Sequence, residues 1–188
     1  EGIEVSAVVD NRSETLKWDG IPKSAACYTS VDELWKTGCG ELVCITTNGP
    51  SHMDIAIAAM EAGAKYVMVE KPMANSLDEC NRMLDTAERY NVRLSVDQLR
   101  RFAPVNVWLR EKIQCGEWGD IRSIFIQRPG IGLGCLAIHS FDLVRFLSGS
   151  DVRTVTAWVD EPIMKNPRGE QFIDPGGLVI LDMGKNFR

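Results

Sequence analysis

The chain has 188 residues, 45% hydrophobic and 25% charged, which is enough to bury a real core in one or two domains. A net charge of −5 and a pI near 5.1, with Arg100-Arg101 as the one basic cluster, argue against nucleic acid and anionic membrane as partners. There is no run of 18 apolar residues and no basic-then-apolar leader at EGIEVSAVVD, so the sequence predicts a cytoplasmic protein with no membrane partner.

The first half alternates strand and helix. Val5 to Val9 reads as a strand, and Ser30-x-x-Glu33 as a capping box before a short helix stopped at Gly38. Leu42 to Thr46 is a second strand. Ser51 and Asp54 open the apolar segment MDIAIAAMEAG, which Gly63 closes. Tyr66 to Val69 is a third strand, Ser76-x-x-Glu79 opens another helix, and Arg93 to Val96 is a fourth strand. Strands this apolar between amphipathic helices predict a parallel sheet covered on both faces.

The second half changes character. Pro104 suits the first turn of a helix to about Gln114. Ile121 to Gln127, Thr154 to Val159 and Gly177 to Met183 read as strands, and His139 to Gly149 as a helix between them. The expected fold class is α/β: an incomplete Rossmann-type parallel sheet over 1–98, then part of an α+β domain with a mainly antiparallel sheet over 99–188.

Six cysteines at irregular spacings, without C-x-x-C, read as free buried thiols. With two histidines, His52 and His139, a Cys/His zinc site has little support, and no metal is expected.

In an open parallel sheet, ligands bind outside the carboxyl ends of the strands. Three such ends carry polar residues: Asp10-Asn11-Arg12, Thr46-Thr47-Asn48 and Glu70-Lys71. Asp10 stands where a dinucleotide fold places the acid that binds the adenosine ribose, although an Asp there also caps turns. Arg12 suits a 2′-phosphate or the adenine face, which leaves NAD and NADP both open. Only nine residues precede Asp10, too few for the expected Gly-rich phosphate loop and its strand, so the sequence predicts an internal fragment of a longer protein. Lys71 is locked before Pro72, which pushes its backbone toward an extended conformation at a strand end.

The run TTNGPSHMDIAIAAMEAGAKYVMVEKPMANSLDE resembles the nucleotide-binding domain of the glucose-fructose oxidoreductase/inositol dehydrogenase (Gfo/Idh/MocA) family. LRRFAPVNVWLREKIQCGEWGDIRSI is similar to that family's passage into its substrate domain, and GCLAIHSFDLVRFLSG to its active-site helix. The resemblance implies NAD(P)-dependent oxidation or reduction at a hydroxyl or keto carbon of a sugar, cyclitol or related polyol. It implies catalytic roles for Lys71 and His139. Cofactor contacts would come from Asp10, Arg12, Thr47, Asn48, His52, Glu70, Lys71 and Pro72. Substrate contacts would come from Lys71, Arg101, Cys135, His139 and Asp142. Arg101 either anchors substrate oxygens or pairs with a carboxylate, and Asp142, one turn past His139, either orients that ring or is a solvated charge.

Cys135 stands where the family commonly has Asp, and a thiol supplies neither a carboxylate's charge nor its acceptors. That departure keeps two alternatives in play, a nucleotide- and sugar-binding regulator without turnover and an NAD-dependent glycosidase. A homo-oligomer, dimer or tetramer, is expected of the full-length protein, since an antiparallel sheet often leaves one face to pair.

Overall fold

The computed structural model of the chain describes residues 2–128, 132–161 and 172–184. The chain divides into two compact units, Glu1–Asp97 and Gln98–Arg188.

In the first unit β1 (Ala7–Val9) pairs in parallel with β2 (Ala26–Tyr28), and α1 (Val31–Thr37) follows. A second parallel ladder runs β3 (Leu42–Ile45), β4 (Tyr66–Glu70), β5 (Arg93–Asp97), with Val67 opposite Val43 and Leu94. The crossovers are α2 (His52–Glu61) and α3 (Leu77–Tyr90). Each helix starts where its sequence dictates. The Ser30 hydroxyl accepts from the Asp32 amide, and Ser76 from the Glu79 amide, while the Glu79 carboxylate reaches back to the amide of Asn75. Ser51 does not cap α2. Its hydroxyl donates to the Asn48 carbonyl and shares a hydrogen bond with the Thr47 hydroxyl instead, through a 3-10 turn at Gly49–Ser51.

The core lies between α2, α3 and one face of the β3-β4-β5 ladder: Ile45, Ala56, Ala59, Met60, Ala64, Val67, Val69, Met83 and Ala87 are buried together. Ala56 and Ala59 carry no bulk, so α2 sits close on the sheet, and burying Val67 and Val69 fully is worth about 1.5–3 kcal/mol each. Strand alternation then decides the other face. Leu42 and Tyr66 are exposed there, as is Cys44 between Val43 and buried Ile45. The expectation of a sheet covered on both faces is therefore corrected: among the described residues one face is covered.

The second unit holds α4 (Pro104–Gln114), a single π-helical turn at Leu133–Ala137 running into α5 (Ile138–Ser148), and an antiparallel pair, β6 (Thr154–Val159) with β7 (Gly177–Asp182). Pro104 takes the N1 position of α4, and Gly149 ends α5 with φ +66°, a conformation that favours glycine. Trp108 and Trp118 meet edge to face with centroids 5.4 Å apart.

The strand expected at Ile121 to Gln127 is not formed. Residues 121–128 are irregular, Phe125 is 83% exposed, and no described residue offers them a ladder. A β-rich run becomes a strand only where a neighbour accepts and donates its backbone hydrogen bonds. The cysteines are free, as expected, but not buried: Cys27, Cys44 and Cys115 are exposed and the other three half-buried.

Candidate functional site

The carboxyl ends of β1, β3, β4 and β5 each deliver a polar residue. Past β1, the Asp10 carboxylate accepts from the Arg12 amide at 2.8 Å and from its guanidinium at 3.3 and 3.4 Å. The turn-capping role is thus realised. Arg12 also holds the Asp10 carboxyl below its ordinary value near 3.8, keeping it ionised at neutral pH. The Thr15 side chain adds a further hydrogen bond to the carboxylate, and the Arg12 side chain is 72% exposed.

The loops after β3 and β4 are joined by His52. The ring is 1% exposed, with Nδ1 2.8 Å from the Pro72 carbonyl oxygen and Nε2 3.0 Å from that of Thr47. Both partners are acceptors. A neutral ring has one N–H and serves one of them, whereas the imidazolium serves both. His52 therefore belongs to the loops' internal structure: it fixes Thr47 and Pro72 relative to each other, and its polar atoms do not face outward. Gly49 tightens the same junction, since a Cβ there would meet Asn75 Oδ1 at 3.0 Å.

Lys71 is half-buried immediately past β4, and its peptide bond to Pro72 is cis. Its amide donates to the Glu70 carboxylate at 3.1 Å. Opposite Glu70 in the ladder stands Asp97, at the end of β5. Nothing in the residues around Asp97 marks it in the sequence; the β4-β5 register is what brings it beside Glu70 at the carboxyl edge. A hollow of about 530 Å³ beside Lys65, Tyr66, Val92 and Arg93 lies at the opposite, amino-terminal end of these strands. The carboxyl edge carries the polar residues, and in open parallel sheets that is the end at which ligands generally bind.

In the second unit, His139 is 6% exposed in the first turn of α5. The Arg101 guanidinium donates to both Asp142 oxygens, at 2.6 and 2.5 Å, and lies over the Phe146 ring. Asp142 is 10% exposed, and its hydrogen bonds raise the Arg101 pKa further. Of the two roles expected for Arg101, pairing with a carboxylate is the one formed. Asp142, offered as the orienting partner of His139, has both oxygens engaged by Arg101. Cys135 is half-buried in the π-helical turn, its amide donating to Asp174. Lys71, Asp10, Thr47, Asn48, His52, Glu70 and Pro72 thus share one unit, and Arg101, Cys135, His139 and Asp142 share the other. Among the described residues no group of three His, Cys, Asp or Glu could hold a metal, and no helix is long and apolar enough to cross a membrane.

Residues 1–98 match the sequence model of the GFO_IDH_MocA family, described as an oxidoreductase family with an NAD-binding Rossmann fold. Over 165 residues the chain is 27% identical to the rhizopine catabolism protein MocA of Rhizobium meliloti, a match covering 79% of this chain and 50% of that protein. It is 30% identical over 148 residues to scyllo-inositol 2-dehydrogenase (NAD(+)) of Bacillus subtilis, covering 71% of this chain and 42% of the relative. The chain thus spans about half the length of the curated relatives it matches. Among solved structures, the WlbA dehydrogenase of Bordetella pertussis, in complex with NADH and UDP-GlcNAcA, superposes with a TM-score of 0.77 at 23% identity, over 96% of this chain and 60% of that one. Myo-inositol 2-dehydrogenase of Lactobacillus plantarum gives 0.78 at 19% identity, over 98% and 60%. These likenesses establish a shared fold.

Proposed function

The chain belongs to the GFO_IDH_MocA oxidoreductase family, and from that premise we propose that it is the cofactor-binding part and a portion of the substrate-binding part of an NAD-dependent dehydrogenase. The substrate we infer is a cyclitol or related polyol, by likeness to relatives that include an inositol 2-dehydrogenase and a scyllo-inositol 2-dehydrogenase. The observation that carries this reading is the placement of Lys71: a half-buried lysine directly past β4, beside loops tied together through a buried His52.

Bound NAD supplies the hydride acceptor. Asp10 holds the adenosine ribose, and Thr47, Asn48, Glu70 and Pro72 line the path between ribose and the reacting carbon. Lys71 removes the hydroxyl proton as the carbon gives up its hydride, so the C–H and O–H bonds break while C=O forms. The loop clamp keeps the Lys71 backbone fixed, limiting the loss of orientation that lowers a proton-transfer rate. In the second unit, His139 is the residue proposed to contact a substrate hydroxyl or to pass a proton on. Arg101 and Asp142 keep the helix bearing His139 in place through their ion pair. The hairpin exposes more than half of Val155, Trp158, Val159, Leu178 and Ile180, which supports self-association of the full-length protein through this sheet.

A second reading, a regulator that binds nucleotide and polyol without turnover, is favoured by one feature, the thiol of Cys135. NADH formation by the full-length gene product, followed across a panel of inositol isomers and sugars, separates the two. Steady-state NADH with at least one polyol supports the dehydrogenase, and tight NAD binding with no turnover on any supports the regulator.

A further inference from the structure

We propose that Asp174 is a positioning residue for the helix that carries His139, holding the first turn of that helix in register from a segment far along the chain. The inference rests on the reading that His139 serves the reacting hydroxyl. Asp174 Oδ1 accepts the Gly134 amide at 2.7 Å, and Oδ2 accepts the Cys135 amide at 2.9 Å. The adjacent Leu133 amide donates to the Pro175 carbonyl at 2.9 Å. Three consecutive amides at a helix start, which have no partner within the helix, are thus taken up by two consecutive residues from about 40 positions away.

The backbone is shaped around this carboxylate. A Cβ on Gly132 would lie 2.0 Å from Asp174 Cγ, and one on Gly134 3.3 Å from its Oδ1, so glycine at 132 is what admits the acid. A negative charge at a helix N-terminus is favoured by the helix dipole, and amide bonds to a carboxylate are stronger than those to a neutral acceptor. The π-helical turn so held runs directly into α5, where His139 is the second residue. Any slip of the turn moves the imidazole. Asp174 also lies just before β7, so it ties the start of this helix to the base of the hairpin.

The part Cys135 plays in this latch is its backbone amide, which any residue but proline provides. A carboxylate thus reaches this turn from position 174.

The test uses the full-length gene product carrying Asp174→Asn, with Asp174→Glu as the variant that keeps the charge. Hydrogen exchange at the Gly134 and Cys135 amides reads the latch directly, and kcat against KM for polyol oxidation reads its consequence. Asp174→Asn is expected to speed exchange at both amides about tenfold to a hundredfold, since bonds to a charged acceptor are lost. It should lower kcat about tenfold or more with the KM for NAD unchanged, as expected of a misplaced group at the reacting centre. Asp174→Glu should recover part of both. Unaltered exchange in Asp174→Asn would show that no latch exists. Faster exchange with unaltered kcat would overturn the positioning role. Absence of turnover in the unmutated protein would count against the dehydrogenase reading, and the exchange rates alone would then decide the latch.

Discussion

Replacing His52 with Ala removes the ring that joins the Thr47 and Pro72 loops. Two backbone carbonyls lose their partner in a region where the ring is 1% exposed. Each orphaned buried acceptor costs about 1–3 kcal/mol, and the vacated volume adds to that unless water fills it and restores part of the bonding. The expected loss is about 3 kcal/mol, a large share of a typical 5–15 kcal/mol. In urea, with a slope of about 2 kcal/mol/M, the unfolding midpoint should fall by about 1.5 M at unchanged slope. Because the two loops flank Lys71, the folded variant should also bind NAD at least about tenfold more weakly, the equivalent of about 1.4 kcal/mol. His52→Gln, whose amide reaches one carbonyl, should lose less in both assays. A midpoint shift below about 0.5 M with unaltered NAD affinity would refute the clamp.

Lys71→Ala should lower kcat about a hundredfold to ten-thousandfold while NAD affinity stays within a few-fold, measured by steady-state kinetics and by energy transfer from tryptophan to bound NADH. Arg101→Ala leaves the Asp142 carboxylate, 10% exposed, without its counter-ion; since Arg101 itself is 34% exposed, the penalty is screened to about 2 kcal/mol, read from urea unfolding. Arg12→Ala should raise the Asp10 titration, followed by NMR, part of the way back toward 3.8, since the residue-12 amide still donates to the carboxylate. The sign follows from linkage. A carboxyl whose folded pKa is depressed contributes stability above its unfolded pKa, and that contribution is lost as pH falls through the depressed value. In the unmutated protein the Asp10 contribution therefore persists at neutral pH and fades only below about 4, and in Arg12→Ala it is reduced to what the residue-12 amide and Thr15 still provide.

Local chemistry carried most of what was legible in the sequence. Ser76 with Glu79, Pro104 at the head of α4 and Gly149 at the end of α5 each mark a boundary through bonds that span a few residues. The polar strand ends Asp10, Thr47 and Lys71 were legible because strand and helix alternate so regularly before them. What escaped depends on distant partners. β2 is three residues long and is a strand only because β1 lies beside it. Residues 121–128 have strand composition but no ladder among the described residues. Asp174 gives no sign in its own neighbourhood that it will bind amides 39 and 40 positions earlier. His52 is expected at the cofactor through the family resemblance; its two carbonyl partners become visible only when both loops are folded.

The most direct test of the proposed chemistry is NADH formation by the full-length gene product, unmutated and as Lys71→Ala, with NAD and each inositol isomer in turn. Sustained NADH production on at least one isomer, reduced at least about a hundredfold in Lys71→Ala with NAD binding retained, is the expected result. Equal rates in the two proteins would contradict the assignment of the proton to Lys71, and saturable NAD binding without turnover on any polyol would contradict the dehydrogenase itself.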